Sequence, residues 1–178
     1  MNKIVYYVAS SLDGYISGEN DDISGFVPDG SGVQKYLQDL KDYETVIMGR
    51  NTYEFGYLYG LKPGQPAYPH MQHYIFSRNL SFEEADPKVM VRNIDIQEVR
   101  RIKEASNTDI YLCGGGQFAG WLLDNELIDV VKLKLNPLIL GRGIKLFGES
   151  KKKYTLELND AKVYDKGLII NSYEVLYT

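Results

Sequence analysis

The chain has 178 residues, of which 44% are hydrophobic and 25% charged, and these fractions are typical of one globular domain spanning residues 1–178. The net charge of −4 at pH 7 argues against a general nucleic-acid or membrane-surface binder. The single cysteine, Cys113, excludes an internal disulfide, and together with the lack of a signal-peptide pattern it predicts a cytoplasmic protein.

Predicted strands and helices alternate over the first two-thirds of the chain. Runs of β-branched and aromatic residues predict the strands, and apolar residues at helical spacing predict the helices. The predicted strands span residues 3–9, 45–48, 73–76, 89–91 and 109–113, and the predicted helices span 33–42, 51–59, 96–105 and 117–126. Asp95 and Glu98 form the pattern of a capping box at the start of the third helix. This alternation indicates an α/β protein with a mostly parallel sheet and helices on both faces.

The last third of the chain has strand character only. Residues 130–135, 154–164 and 168–177 predict three long strands, with a turn at residues 165–167 between the last two. They predict an antiparallel extension of the sheet. In open α/β sheets, ligands bind beyond the carboxyl ends of the strands, and the candidate sites below all follow predicted strands.

The triplet Gly114-Gly115-Gly116 stands between a short apolar run and an apolar-periodic segment, in the order strand, glycine turn, helix. Glycines let backbone N–H groups approach an anion, and the helix adds the partial positive charge of its first turn. This arrangement suits a phosphate group, although a plain tight turn explains the triplet alone equally well. Cys113, inside the apolar run, is expected to be a buried, inert thiol.

Two further strand ends carry residues suited to phosphate. Gly49 follows the second strand, Asn51 or Thr52 can cap the next helix, and Arg50 can grip a phosphate with its guanidinium. Ser77-Arg78 follows the third strand and offers a hydroxyl and a guanidinium together. Ordinary surface positions are the alternative for each pair. Three such strand ends in one small sheet suggest a long ligand with separated phosphates, such as a dinucleotide.

Five segments, taken in order, resemble the dihydrofolate reductase-like superfamily. They are most similar to the branch typified by the reductase (RibD C-terminal) domain of bacterial bifunctional riboflavin-biosynthesis enzymes. The matching segments are Ala9-Ser10-Ser11-Leu12-Asp13-Gly14-Tyr15-Ile16, Gly49-Arg50-Asn51-Thr52-Tyr53-Glu54, Ser77-Arg78, Gly114-Gly115-Gly116-Gln117 and Pro137-Leu138-Ile139-Leu140-Gly141-Arg142-Gly143. The resemblance implies a three-layer α/β/α fold, with a mostly parallel central sheet and antiparallel C-terminal strands.

The same resemblance implies NADPH as the cofactor. Residues 114–117 would hold the diphosphate, Arg50 and Thr52 would contact the phosphates from the other side, and Ser77-Arg78 would recognise the ribose 2′-phosphate. Ala9 and Ile16 would flank the nicotinamide. The full set of expected cofactor-binding residues is Ala9, Ile16, Gly49, Arg50, Asn51, Thr52, Ser77, Arg78, Cys113, Gly114, Gly115, Gly116, Gln117 and Phe118.

The chain departs from true dihydrofolate reductases on its first predicted helix, where those enzymes carry the acid that anchors the pterin. The matching region lies near Val33, and the neighbouring face carries Tyr36, Leu37 and Leu40 without a carboxylate. Asp39 and Asp42 lie on other helix faces and are expected to be solvated. Dihydrofolate is therefore not the expected substrate.

Two residues are candidates for the substrate side. The resemblance places Asp13 in the substrate pocket, where it could bind substrate or support proton transfer as the catalytic residue. The alternative is a turn aspartate selected for the Asp-Gly backbone geometry. Arg142 could bind an anionic substrate, and the alternative is a solvated loop arginine.

The sequence thus predicts an NADPH-dependent reductase that transfers hydride to a small, heterocyclic carbonyl or imine substrate. The alternatives are the riboflavin-pathway 5-amino-6-(5-phosphoribosylamino)uracil reductase and a non-catalytic NADPH-binding module. No metal is expected, because no acid or cysteine completes a site with His70 and His73. The alternation in Lys132-Leu133-Lys134-Leu135 and the long C-terminal strands predict a homodimer.

Overall fold

The computed structural model describes residues 1–178, which form ten strands and four α-helices joined by loops and short 3₁₀ turns. In chain order these elements are β1 (Ile4–Ser10), β2 (Tyr15–Ser17), α1 (Ser31–Asp39), β3 (Thr45–Gly49), α2 (Arg50–Phe55), β4 (Gln72–Phe76), β5 (Val89–Arg92), α3 (Ile96–Ala105), β6 (Ile110–Gly114), α4 (Gly116–Asp124), β7 (Val130–Leu135), β8 (Ile144–Lys145), β9 (Thr155–Val163) and β10 (Ile169–Leu176).

The main sheet has eight strands in the order β5-β4-β3-β6-β1-β7-β10-β9. All pairs from β5 to β7 are parallel, whereas β10 runs antiparallel to both β7 and β9. This arrangement confirms the predicted fold, a mostly parallel sheet with an antiparallel C-terminal extension. No helix combines the length and the apolarity needed to cross a bilayer.

Alternating side chains of the strands build two cores, one on each face of the sheet. Ile4 and Tyr6 of β1 point into one core together with the apolar faces of α3 and α4. Val5 and Tyr7 point into the other, which also contains the strand residue Tyr111. The central strands are buried on both faces, which is why they read as continuous apolar runs in the sequence. The second core is rich in tyrosine, and that composition matters for the site below.

The structure corrects three local predictions. Helix α1 begins at Ser31 and ends at Asp39, earlier at both ends than predicted. Gly49 is the N-cap of α2, so Asn51 and Thr52 lie in its first turn and do not cap it. The side chain of Asp95 caps α3 by accepting a hydrogen bond from Gln97 N, but Glu98 accepts no reciprocal bond from Asp95 N, so the predicted box is incomplete.

One element was missed altogether. Strands β2 and β8 form a separate two-stranded sheet in which Tyr15 pairs with Lys145 and Ser17 with Ile144. This small sheet fastens the loop after β1 to the segment that follows β7. The strands have three and two residues, too few for a periodic pattern to show in the sequence.

Candidate functional site

Four neighbouring strands, β4, β3, β6 and β1, end at the same edge of the sheet. Gly49 pairs with Phe76 and Met48 with Gly114, so the turns after β4, β3 and β6 lie side by side. At a strand separation of about 4.8 Å, the four strand ends span about 14 Å. The predicted phosphate-suited residues therefore line one continuous edge.

The turns after β3 and β6 are in close contact. A Cβ added to Gly115 would lie 2.9 Å from Thr52 Oγ1, and one added to Gly49 would lie 3.8 Å from the backbone nitrogen of Gly115. Gly114 has a φ of +137°, a conformation that side-chain-bearing residues rarely adopt. The two turns thus form a bare backbone surface at the start of α4. The first N–H groups of an α-helix have no partner within the helix, so those at the start of α4 are potential anion ligands.

Gly116 has a different role from Gly115. A Cβ at Gly116 would lie 2.0 Å from the carbonyl oxygen of Lys145. This glycine is therefore required for α4 to pack against the end of β8. The triplet serves both packing and the open turn, a division that the sequence alone does not reveal.

Arg50 links the ends of β3 and β4. Its Nε donates a hydrogen bond to Glu54 Oε1 at 2.8 Å, and its Nη1 donates one to Asn79 Oδ1 at 2.9 Å. The guanidinium remains 40% exposed at the side-chain level, with Nη2 free of any partner. It is therefore held in place at the edge of the sheet with one nitrogen available for an anion.

A cleft of about 500 Å³ opens beside the end of β4, and Ser77, Arg78 and Arg92 are among its lining residues. Ser77 is buried and its Oγ accepts a hydrogen bond from Leu80 N at 3.1 Å, whereas Arg78 is exposed and has no partner. Asp95 and Glu98 also line the cleft, but Asp95 caps α3 and Glu98 pairs with arginines. Arg78 is thus the free cation of this cleft.

Arg92 is a residue that sequence reasoning missed. It ends β5, the edge strand beside β4, and its guanidinium lies 5.6 Å from the centroid of the Tyr74 ring. Its Nε is 3.6 Å from a carboxylate oxygen of Glu98. The signal available in the sequence was a basic residue directly after a short apolar run, as at the neighbouring strand end.

Asp13 is exposed but fully engaged by hydrogen bonds. Its Oδ1 accepts from Ser11 Oγ at 2.7 Å and from Leu140 N at 3.1 Å, and its Oδ2 accepts from Gly141 N at 2.7 Å. These bonds, with that from Ser11 the strongest, lower the pKa of Asp13 to about 2. The carboxylate therefore stays ionised at neutral pH and fastens the loop after β1 to the loop after β7.

The remaining predicted residues differ in their surroundings. Ala9, Ile16 and Cys113 are partly buried, and Ala9 and Cys113 lie near the carboxyl ends of β1 and β6 on the same sheet face. Burial raises the pKa of the Cys113 thiol, which keeps it protonated. The side chain of Arg142 is 78% exposed and lies 3.6 Å from Glu19.

Asp39 was expected to be solvated, and that prediction is wrong. It is buried at the end of α1, where Lys132 Nζ lies 2.7 Å from Oδ2, Tyr7 donates a hydrogen bond at 3.0 Å, and Lys35 forms a further ion pair. Burial would raise the pKa of Asp39, but the hydrogen bonds from the two lysines outweigh it and hold the pKa below its usual value. Asp39 is thus an ionised carboxylate whose charge is balanced by two lysines, and its role is structural.

The two histidines bond to backbone. His70 Nε2 lies 2.9 Å from Leu40 O, and His73 Nδ1 lies 3.0 Å from Met71 O. His73 Nε2 accepts from Tyr68 N, which fixes the neutral tautomer with its proton on Nδ1. Both rings thus have local structural partners.

Comparison with known proteins gives the family. Residues 2–170 match the RibD C-terminal domain. The chain belongs to the RibD C-terminal domain family. The uncharacterized protein YwjB of Bacillus subtilis (strain 168) is 27% identical to it over 169 residues, which cover 93% of this chain and 94% of that protein.

Solved structures agree with this RibD C-terminal domain on the fold. A crystal structure of a Shewanella sp. PV-4 protein is 22% identical, with a TM-score of 0.81 over 99% of this chain and 100% of that one. The dihydrofolate reductase of Enterococcus faecalis complexed with NADP(H) and RAB-propyl is 15% identical, with a TM-score of 0.69 over 98% of this chain and 97% of that one. The chain thus shares the fold of dihydrofolate reductase.

Proposed function

We propose that this RibD C-terminal domain is an NADPH-dependent reductase of small molecules. One observation carries the proposal: the residues suited to the cofactor follow neighbouring strands in a consistent order along one edge. Ser77 and Arg78 follow β4, Arg50 and Thr52 follow β3, and the glycine turn follows β6. A dinucleotide has its charged groups separated in this way, whereas a mononucleotide would leave part of the edge unused.

The residues divide the work of binding between them. The bare backbone around Gly115 and the start of α4 fit a diphosphate, because no Cβ blocks the approach. Arg50 and Thr52 would contact the diphosphate from the β3 turn. Arg78 is the unpaired cation beside buried Ser77 and fits a ribose 2′-phosphate. NADPH, when bound, supplies the hydride, and Ala9 and Ile16 would flank its nicotinamide.

The substrate side lacks a free acid. Asp39 is neutralised by Lys132 and Lys35, and the pKa of Asp13 is about 2, so neither carboxyl is protonated at neutral pH. Asp13 would therefore act on the substrate as an anion or by positioning the loop at Leu140 and Gly141. This chemistry fits a small carbonyl or imine acceptor that does not require proton delivery from a carboxylic acid.

The test has two parts, cofactor binding and turnover. Calorimetric titration of the intact chain is expected to show NADPH binding more tightly than NADH. Absorbance at the NADPH band is then followed with a panel of heterocyclic carbonyl and imine acceptors, and steady oxidation with at least one is expected. Tight binding without turnover would favour the non-catalytic module, and absence of NADPH binding would overturn the proposal.

The family favours one specific alternative within this chemistry. Because the chain belongs to the RibD C-terminal domain family, the phosphorylated aminopyrimidine of the riboflavin-pathway reductase belongs in the acceptor panel. Efficient reduction of that substrate alone would assign the riboflavin-pathway step. Arg142 would then be expected to contact the phosphate, and Arg142→Ala should raise KM for that substrate without affecting NADPH affinity.

A further inference from the structure

Lys134 is a half-buried lysine with no partner for its charge. It lies near the end of β7, where it pairs with Ala9 of β1 on one side and Ile170 of β10 on the other. Its Nζ forms no hydrogen bond or ion pair and lies 4.1 Å from the centroid of the Tyr36 ring. Burial lowers its pKa, with no neighbouring acid to offset the effect.

Lys132, on the same sheet face as Lys134, has an acidic partner for its charge. Two residues earlier on β7, its Nζ lies 2.7 Å from Asp39 Oδ2 and 4.5 Å from the centroid of the Tyr7 ring. Asp39 also forms an ion pair with Lys35 and accepts a hydrogen bond from the Tyr7 hydroxyl, so its carboxylate is not available to Lys134. Lys134 has the aromatic neighbour without the carboxylate. A structural lysine at this depth would be expected to have an acidic partner, because an unpaired buried charge is destabilising.

Tyr36, the neighbour of Lys134, is the first of a chain of neutral hydroxyl and thiol groups on this sheet face. Tyr36 Oη lies 2.6 Å from Tyr111 Oη, and Tyr68 Oη lies 3.6 Å from Cys113 Sγ. Burial raises the pKa of each of these tyrosines and of Cys113, so all four groups are uncharged at neutral pH. Lys134 is therefore the one charge that this part of the face presents without a counterion.

We propose that Lys134 binds an anionic oxygen of the acceptor substrate, a carboxylate or an ionised enol on a planar ring, next to Ala9 at the end of β1. The identity of the ligand as the acceptor rests on the proposed function, whereas the anion site rests on the geometry of Lys134 alone. The pairing of Lys134 with Ala9 supports the location, because Ala9 is the small residue expected beside the nicotinamide. A cation at this position selects for acidic acceptors and against cationic ones.

The test compares charged and neutral probes on the cofactor-free chain. Benzoate is titrated against benzamide, and orotate against its neutral amide, by calorimetry at pH 7. We expect each carboxylate to bind at least about tenfold more tightly than its amide. Lys134→Met should abolish that preference, Lys134→Arg should keep most of it, and Lys162→Met, at an exposed position on β9, should leave it unchanged.

Thermal unfolding supplies a second measurement. Because Lys134 has no acidic partner and only the Tyr36 ring beside its Nζ, Lys134→Met should change Tm little, whereas loss of a lysine from a buried ion pair would lower Tm clearly. A clear fall in Tm, an equal affinity for both members of each probe pair, or a carboxylate preference that survives Lys134→Met would each overturn the proposal. NADPH titration of the same variant separates this result from the proposed function, since its cofactor affinity should match that of the unmodified protein.

Discussion

Thr52 Oγ1 lies only 2.9 Å from the position that a Cβ on Gly115 would occupy, closer than a Cβ normally approaches another atom. The contact joins the first turn of α2 to the start of α4 and brings the two phosphate-suited turns to the same place. Gly115 therefore keeps the two turns together, in addition to leaving the backbone open to a ligand.

This relationship predicts the behaviour of Gly115→Ala. The added methyl group should displace Thr52 and separate the two turns, lowering NADPH affinity about tenfold, or ~1.4 kcal/mol. Calorimetry would measure the loss, with thermal unfolding to verify that the variant folds. Thr52→Ala removes both the colliding oxygen and a proposed phosphate contact, so adding Gly115→Ala to that variant should cost less NADPH affinity than adding it to the unmodified protein. Normal NADPH binding by the larger Gly115→Val variant would contradict the assignment of this turn.

Arg78 should determine the preference between the two cofactors. A guanidinium paired with the 2′-phosphate contributes about 1.5–3 kcal/mol, so Arg78→Ala should weaken NADPH binding about 10- to 100-fold. NADH binding should hardly change, because NADH lacks that phosphate. Arg100→Ala, at an exposed position on α3, is the matched control. Equal losses for NADPH and NADH would show that Arg78 does not read the 2′-phosphate.

Much of the fold follows from the sequence, because the central strands and the helices carry strong periodic signals. The three strand-end motifs were also identified from local sequence. What the sequence missed depends on distant partners. Asp39 was misplaced because its partner Lys132 lies 93 residues away, and Lys134 gave no signal because its lack of a partner is visible only in three dimensions.

The substrate side yields a prediction about folate. The region near Val33 has no carboxylate, and a placed acid typically contributes 10²–10⁴-fold, so dihydrofolate reduction should be slower by at least about 10²-fold than in a dedicated enzyme. Val33→Asp should raise the rate of dihydrofolate reduction. Efficient dihydrofolate reduction by the unmodified protein, measured by NADPH absorbance, would contradict this view of the pocket.

Asp13→Asn should lower turnover of the native acceptor while NADPH affinity holds, because the substitution weakens the hydrogen bonds to Leu140 and Gly141.

His73 predicts how stability depends on pH. Burial lowers its pKa to about 4, below the value of about 6.5 expected in the unfolded chain. The unfolded state therefore binds more protons between these values, and the free energy of unfolding should decrease as pH falls from 6.5 to 4, by up to about 3 kcal/mol. Urea unfolding at several pH values measures this dependence. In His73→Gln the free energy of unfolding should depend much less on pH over that interval. An unchanged slope would exclude His73 as the source of the pH dependence.

The edge strand β9 predicts a homodimer. All nine of its residues are exposed, including Leu158 at 55% and Val163 at 79%, and its outer edge has no partner strand. Light scattering at micromolar concentration should give a dimeric mass. Leu158→Lys should lower the measured mass to that of the monomer, whereas Met90→Lys on the opposite edge strand β5 should leave the mass unchanged. A monomeric mass for the unmodified protein would refute the prediction.

The position of β1 governs how this chain can assemble during synthesis. Its residues Ile4 to Tyr6 pair with residues 110–112, and Val5 to Ser10 pair with residues 130–135. Strand β1 is thus made before both of its neighbours, and it cannot pair with them until residues 110–135 have left the ribosome. Until then a nascent apolar segment is exposed to chaperones and to other chains, and native contacts of such long range make folding slow.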